Sequence, residues 1–440
     1  MGSRFFILMM VMLLSISLFA QHEHHMPSGD TSMKNMEGMD KPMLMTHSYS
    51  LNLPMNRNGS GTGWLPDSSP MYMYMIGNEK SSWMFHGNIF FRYNKQDLFD
   101  KGTRGDSKFD APNMFMAMYN RKVGGNGLFN FSAMISLDPL TVGESGYPLL
   151  LQSGETYRGN QLVDRQHPHD LVSGLSMGYS YAVNKNVDVS AYFGYPGEPA
   201  LGPTAFMHRV SSLNNPDAPL AHHWQDATHI TFGVGTLGVR YRNLKLEGSV
   251  FTGREPGENR YNFDQTRFDS YSYRLSYNPA NNWSLQFSQG FLNQPEAHEP
   301  NTDVQRTTAS VTHSQNMRIF NWSQTLAWGL NKADGHDDSH SFLYESNWQF
   351  RTQALYWRYE NVTKSTEELL LTSAFGERDF NFNALTIGYN HNIAPAAPAE
   401  ILLGAQSTFN FMPAALQTLY GRTPIGFEVY LQVRPHRHGN

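Results

Sequence analysis

The sequence predicts an all-β protein: a closed antiparallel transmembrane β-barrel of about 16 strands (14–18), preceded by a disordered Met/His-rich N-terminal segment. Three observations carry this prediction. Stretches of about ten residues, the length a tilted strand needs to cross a bilayer, alternate oily with polar side chains. The connections between them alternate short with long, as in outer-membrane barrels, whose turns are short on the periplasmic side and long outside. The chain also opens on an export pattern.

That pattern is MGSRFFILMMVMLLSISLFA, residues 1–20, with Arg4 early, an apolar run from Phe5 to Leu14 and a small residue at Ala20. It reads as a signal peptide cleaved near Gln21, because the run falls short of the roughly 20 apolar residues of a spanning helix. Residues 21–60 hold too little apolar bulk to fold and are expected to be disordered. Residues 61–80 are expected as a lead-in or lumenal segment, 81–434 as the barrel, and 435–440, PHRHGN, as a His-containing tail.

In WMFHGNIFFRYN, residues 83–94, Trp83, Phe85, Ile89, Phe91 and Tyr93 share one face, and His86, Asn88 and Arg92 the other. YSYRLSYN, WSLQFSQGF and IGFEVYLQVR repeat the pattern. Strands are expected to begin near 83, 113, 128, 171, 187, 229, 244, 270, 283, 305, 318, 341, 354, 381, 400 and 425. A soluble sandwich alternates as well, but its second sheet face would have to supply apolar core, and here that face is consistently Ser, Asn, Gln, Arg and Glu. The stretch GVGTLGVRY, 233–241, changes phase and points to a bulge. Loop parity places 100–110, 140–169 and 198–226 outside the cell and both termini on the periplasmic side.

Composition narrows the chemistry. The 440 residues contain no Cys, which removes disulfides, thiolate metal sites and a lipid-modified cysteine. A net charge of −5 without basic stripes argues against a nucleic-acid partner. Any metal must be held by nitrogen, oxygen or thioether sulfur.

Of 23 methionines, Met26, Met33, Met36, Met39, Met43 and Met45 lie in the opening segment with His22, His24 and His25. Thioether is soft and selects Cu(I) or Ag(I), while imidazole near an amino terminus suits Cu(II). A second set, Met114, Met116 and Met118 in NMFMAMYN, falls opposite Phe115, Ala117 and Tyr119. Met84 and His86 on the strand before and Met134 on the strand after share that phase. Adjacent strands would then share a lumenal thioether patch, with PMYMYM, 70–75, beside it; packing of irregular gaps by Met is the competing reading. A third set lies in long loops: His167, His169 and Asp170 in DRQHPHD, His208 in FMHR, and His222, His223, Asp226 and His229 in AHHWQDATH. Such a set suits a borderline divalent ion, and equally a hydrogen-bonded network closing the barrel mouth. There is no His-Glu-x-x-His motif and no Gly-x-Ser-x-Gly elbow, so no enzyme activity, catalytic residue or organic cofactor is expected.

The blocks GTGWLPDSSPMYMYM, YPLLLQSGETYRG, DRQHPHD, GEPALGPTAF, HHWQDATHITFG, GREPGENRYNFD and YGRTPIG resemble the shared blocks of a family of bacterial outer-membrane barrel proteins associated with copper and silver efflux gene neighbourhoods. The resemblance spans about residues 61–434. It implies the outer membrane of a Gram-negative cell and a link to copper handling, and it supplies no ligand residues. The function expected is a barrel that binds or helps pass copper or silver in the envelope, embedded in outer-membrane lipid, with periplasmic metal carriers or efflux components as partners. A porin-like channel or structural barrel for another small solute is the alternative.

Overall fold

The structure, a computed structural model, describes residues 43–297 and 299–438. The signal peptide and the expected ligands His22, His24, His25, Met26, Met33, Met36 and Met39 lie outside them. Sixteen long antiparallel strands close into a barrel. Ser81–Lys95 is the closing strand: its first half pairs with Asn113–Val123 and its second half with the last strand, Ile425–Arg434. Two short strands, Tyr74–Gly77 and Ser107–Asp110, extend its free edges.

Alternation in the sequence becomes an inside-out distribution of burial. On Ser270–Tyr277, Ser270, Ser272, Arg274 and Ser276 point into the barrel and are buried, whereas Tyr271, Tyr273, Leu275 and Tyr277 are exposed on its outer wall. Leu237 on the outer wall is 71% exposed and Arg274 inside is 1% exposed. This is the reverse of a soluble protein and the arrangement a lipid-embedded barrel requires. Connections alternate as expected, from short turns such as 185–186 and 242–243 to long loops such as 136–171 and 195–233.

The strands begin close to their expected positions except the sixth, which is Val234–Tyr241. The expected bulge there is absent, since the strand pairs with Val187–Gly194 and Leu244–Phe251 without a register shift. The phase change has another cause. Val234 points inward and packs with Tyr49, Tyr192, Leu201, Phe251 and Leu292, so an apolar residue occupies a lumenal position.

Those partners reveal the main departure from expectation: the lumen is filled. Barrels of 16 strands have room for an aqueous channel, but here inward side chains such as Asn94, Asn130, Ser288, Asn347 and Gln432 are buried. Filling comes from both ends. Residues 46–67 enter from the short-turn end, correcting the expectation of disorder up to residue 60. Tyr49 donates to Asn130 and Asn52 to Asp188, while Arg57 pairs with Asp67 at 2.5 Å and caps the Trp64 ring. A segment poor in apolar bulk folds here because the barrel wall, not a core of its own, supplies its hydrogen-bond partners.

From the long-loop end, 195–233 descends through the barrel. Arg209 pairs with Asp226 and Glu345, Asp217 with Arg92, and Asn214 accepts from Arg434 near the far end of the last strand. The two fillers meet inside, where the Ser60 hydroxyl donates to Glu198 and accepts from the Ala205 amide. The tail closes the short-turn side: His436 is bonded to Ala397, and the Arg434 guanidinium lies over the Tyr72 ring.

Candidate functional site

Two groups of side chains with ligand chemistry stand out, one at each end of the lumen. At the short-turn end the strand ladder sets Met75 beside Met84 and Met84 beside Met118, and in the next inward row His86 beside Met116 and Met116 beside Met134. Across this wall the entering segment places Met55, Met71 and Met73, so that Met55, Met73 and Met84 are buried together with Met71, Met75 and Met118 against them. Met114, opposite Asn88, continues the inward row. The phase argument therefore placed Met84, His86, Met114, Met116, Met118 and Met134 on one lumenal wall. Met55 was not singled out, because nothing local shows that residue 55 folds back against strand 84. Met43 and Met45 stay apart, and Met45 is exposed.

His208 belongs to this end and not with the other loop histidines. Burial, with a smaller contribution from the neighbouring His86, pushes its pKa down to about 4, so it is a neutral imidazole at neutral pH.

At the long-loop end, 136–171 and 195–233 bring five histidines together. The rings of His222 and His229 lie 5.1 Å apart, those of His169 and His229 5.5 Å, and those of His222 and His223 5.4 Å, while His167 approaches both His222 and His223. Most of these side chains are already oriented by a partner. His169 Nδ1 lies 2.8 Å from Asp138, His222 Nδ1 2.7 Å from Asp226, and His229 Nδ1 2.9 Å from the Asp226 carbonyl. Acceptor oxygens at Nδ1 fix the proton there and leave Nε2 as the lone-pair nitrogen, the arrangement outer partners impose on metal-binding histidines. Burial lowers the pKa of His167, His222 and His229. Asp226 is held ionised despite burial by Arg209 and His222. Asp170, near Arg260, is pushed up to about 6 by burial.

His223 differs from its neighbours. Burial opposes its charge, but Glu255 and Glu296 outweigh it and lift its pKa to about 10. Among the described residues the groups whose ligand atoms all lie within 4.8 Å are His223 with Glu255 and Glu296, and Glu299 with His336 and Glu367. The structure thus gathers His167, His169, Asp170, His222, His223, Asp226 and His229 in one place without bringing them into one coordination sphere. Asp138, Glu155, which lies 3.0 Å from His167, Glu255 and Glu296 were missed by the sequence reading, since isolated carboxylates spread over three loops carry no motif.

No protein-family model matches the chain, and no curated protein matches it. Solved structures do. Salmonella typhi OmpF in complex with daunomycin is 10% identical over 82% of this chain and 100% of that one, with a TM-score of 0.50. An anion-selective porin from Comamonas acidovorans is 11% identical over 81% and 100%, at 0.49, and Pseudomonas aeruginosa OpdQ 10% identical over 80% and 97%, at 0.42. The likeness to the first is one of fold: the chain has the architecture of an outer-membrane porin barrel.

Proposed function

We propose that the protein is an outer-membrane barrel that binds soft metal ions, copper(I) or silver(I), in the cell envelope and helps pass them on. The observation that carries this reading is the lumenal group of Met55, Met71, Met73, Met75, Met84 and Met118, with His86 and His208 nearby. Soft thioethers gathered at one place offer what Cu(I) and Ag(I) prefer and what harder ions do not. The group lies where residues 46–67 enter the barrel, and the sequence from Met26 to Met45 carries six further methionines. With short turns periplasmic, that entrance faces the compartment from which a metal carrier or efflux component delivers or accepts an ion.

The test is a silver titration of the full chain in detergent with Met55, Met73, Met84 and Met118 replaced by Leu, which keeps apolar bulk. Loss of one thioether-bound ion, or a fall in affinity of about tenfold or more, is the expected result. If the Leu variant binds silver as the parent does, the methionines are packing and the porin-like reading replaces this one.

Orientation has its own measurement. Because the chain has no native Cys, single cysteines at Asn184, Asn281 and Gly105 report sidedness without background. An impermeant thiol reagent on whole cells is expected to label Gly105→Cys alone. Labelling of Asn184→Cys or Asn281→Cys instead inverts the topology.

A further inference from the structure

The long-loop end contains a second grouping that neither the methionines nor the oriented histidines explain. A cavity of about 460 Å³ opens there, and its walls carry Glu296, Glu299, Glu367, Glu368 and Asp379 with Arg306. His223, from the helix His222–Gln225, and Glu296, from 293–303, line it, and Glu255, from 252–269, lies behind them within ligand reach of both. The side chains of His223 and Glu255 are 6% and 8% exposed. Neither ring nitrogen of His223 and neither oxygen of Glu255 has a hydrogen-bond partner.

Distance separates two explanations. A buried imidazolium between carboxylates draws them to charge-assisted hydrogen-bond length, about 2.7–2.9 Å. Elsewhere in this cluster even histidines with a free Nε2 lone pair reach that length, at 2.7 Å for His222 with Asp226 and 2.8 Å for His169 with Asp138. His223 Nδ1 instead lies 3.5 Å from Glu255 and 3.6 Å from Glu296. With metal–ligand bonds near 2.0–2.2 Å, two ligands of a tetrahedral zinc stand about 3.4 Å apart. The spacing is that of ligands around an ion. Space for the ring is also reserved: Gly154, at φ +119°, has no side chain, and a Cβ there would lie 2.8 Å from His223 Nε2.

We infer that His223, Glu255 and Glu296 bind a borderline divalent cation, with zinc(II) as the reference ion, beside this acidic cavity, whose wall His223 and Glu296 form. One imidazole and two carboxylates leave a fourth position for water, and Arg306 offsets one carboxylate charge. Glu299, His336 and Glu367, a second and more exposed group, line the same cavity. This site is independent of the soft-metal reading: it uses other ligands, at the other end of the barrel, and suits another class of ion.

The experiment is calorimetric titration of zinc chloride into the full chain in detergent micelles, with His22, His24 and His25 replaced by Ala to remove competing imidazoles. Folding is checked by heat-modifiable migration. Glu255→Gln is expected to lose one zinc site or to weaken it about a hundredfold. Gly154→Ala should do the same with all three ligands present, because its Cβ takes the place of the ring. His223→Gln replaces Glu255→Gln if the latter does not fold. Silver binding should persist in each of these variants, which separates failure here from failure of the soft-metal reading. The inference is overturned if the parent binds no zinc, if Glu255→Gln binds it as tightly as the parent, or if only His336→Ala/Glu367→Gln abolishes binding.

Discussion

Replacing Arg209 by Met is expected to free the lumenal loop and turn a closed barrel into a conducting one. Arg209 is 1% exposed, and every bond it makes ties 195–233 together or to the wall. Its guanidinium donates to Glu345 through two nitrogens at 3.0 Å, to Asp226 at 2.7 Å and to the Thr204 carbonyl at 2.9 Å. Met fills similar volume but leaves Asp226 and Glu345 as buried carboxylates short of a cation, at a cost on the order of 3–5 kcal/mol. Glu345 keeps Arg358, 3.1 Å away, so Asp226 bears most of that cost. The wall is fixed by its ladders, whereas the loop can move into water, so relief comes by the loop leaving the lumen. In planar bilayers the parent should be nearly silent and Arg209→Met should show steps like those of an open porin. Adding Asp226→Asn should restore part of the closure by removing the stranded charge. Silence of Arg209→Met, with an unchanged unfolding temperature, would show that the loop is held in some other way.

The second large effect concerns the wall. Gly388 faces inward directly across from Tyr356, and a Cβ on it would overlap the tyrosine ring. Gly404 stands in the same relation to Tyr430 on the next pair of strands. The two rings lie in these slots with their hydroxyls 2.8 Å apart, Tyr356 donating to Gln406 and Tyr430 to the Asn214 carbonyl. Phe90 packs edge-on against Tyr430, so the group joins the barrel seam to the lumenal loop. Gly388→Val forces the Tyr356 ring out of its slot. Overpacking costs about 1–3 kcal/mol and each lost buried hydrogen bond about 1 kcal/mol more. The variant should therefore unfold at markedly lower urea or temperature in detergent. Gly248→Val is the control, for Gly248 faces the outer wall with its nearest neighbour 3.9 Å away, and little change is expected there. Equal stability of the two variants would rule out the slot as a source of wall stability.

The sequence by itself determined the barrel. In lipid every backbone group must be satisfied by a neighbouring strand and the outward side chains must be mostly apolar, so each ten-residue segment carries its own period of two. That is why Trp83, Tyr271 and Leu285 could be placed outward and Arg92, Arg274 and Glu428 inward without a structure, and why the phase of Met114, Met116 and Met118 located a lumenal patch. The tertiary structure alone decided what fills the barrel. The filling segments are irregular and polar, without periodicity, and their partners are remote in sequence. Ser60 meets Glu198, Arg209 meets Glu345, and Asn214 meets Arg434, which is 220 residues away. His208 sits beside His86, and Glu255 and Glu296 beside His223, for the same reason. Side chains on an irregular loop are positioned by hydrogen bonds and ion pairs to a wall that exists only once the barrel has closed.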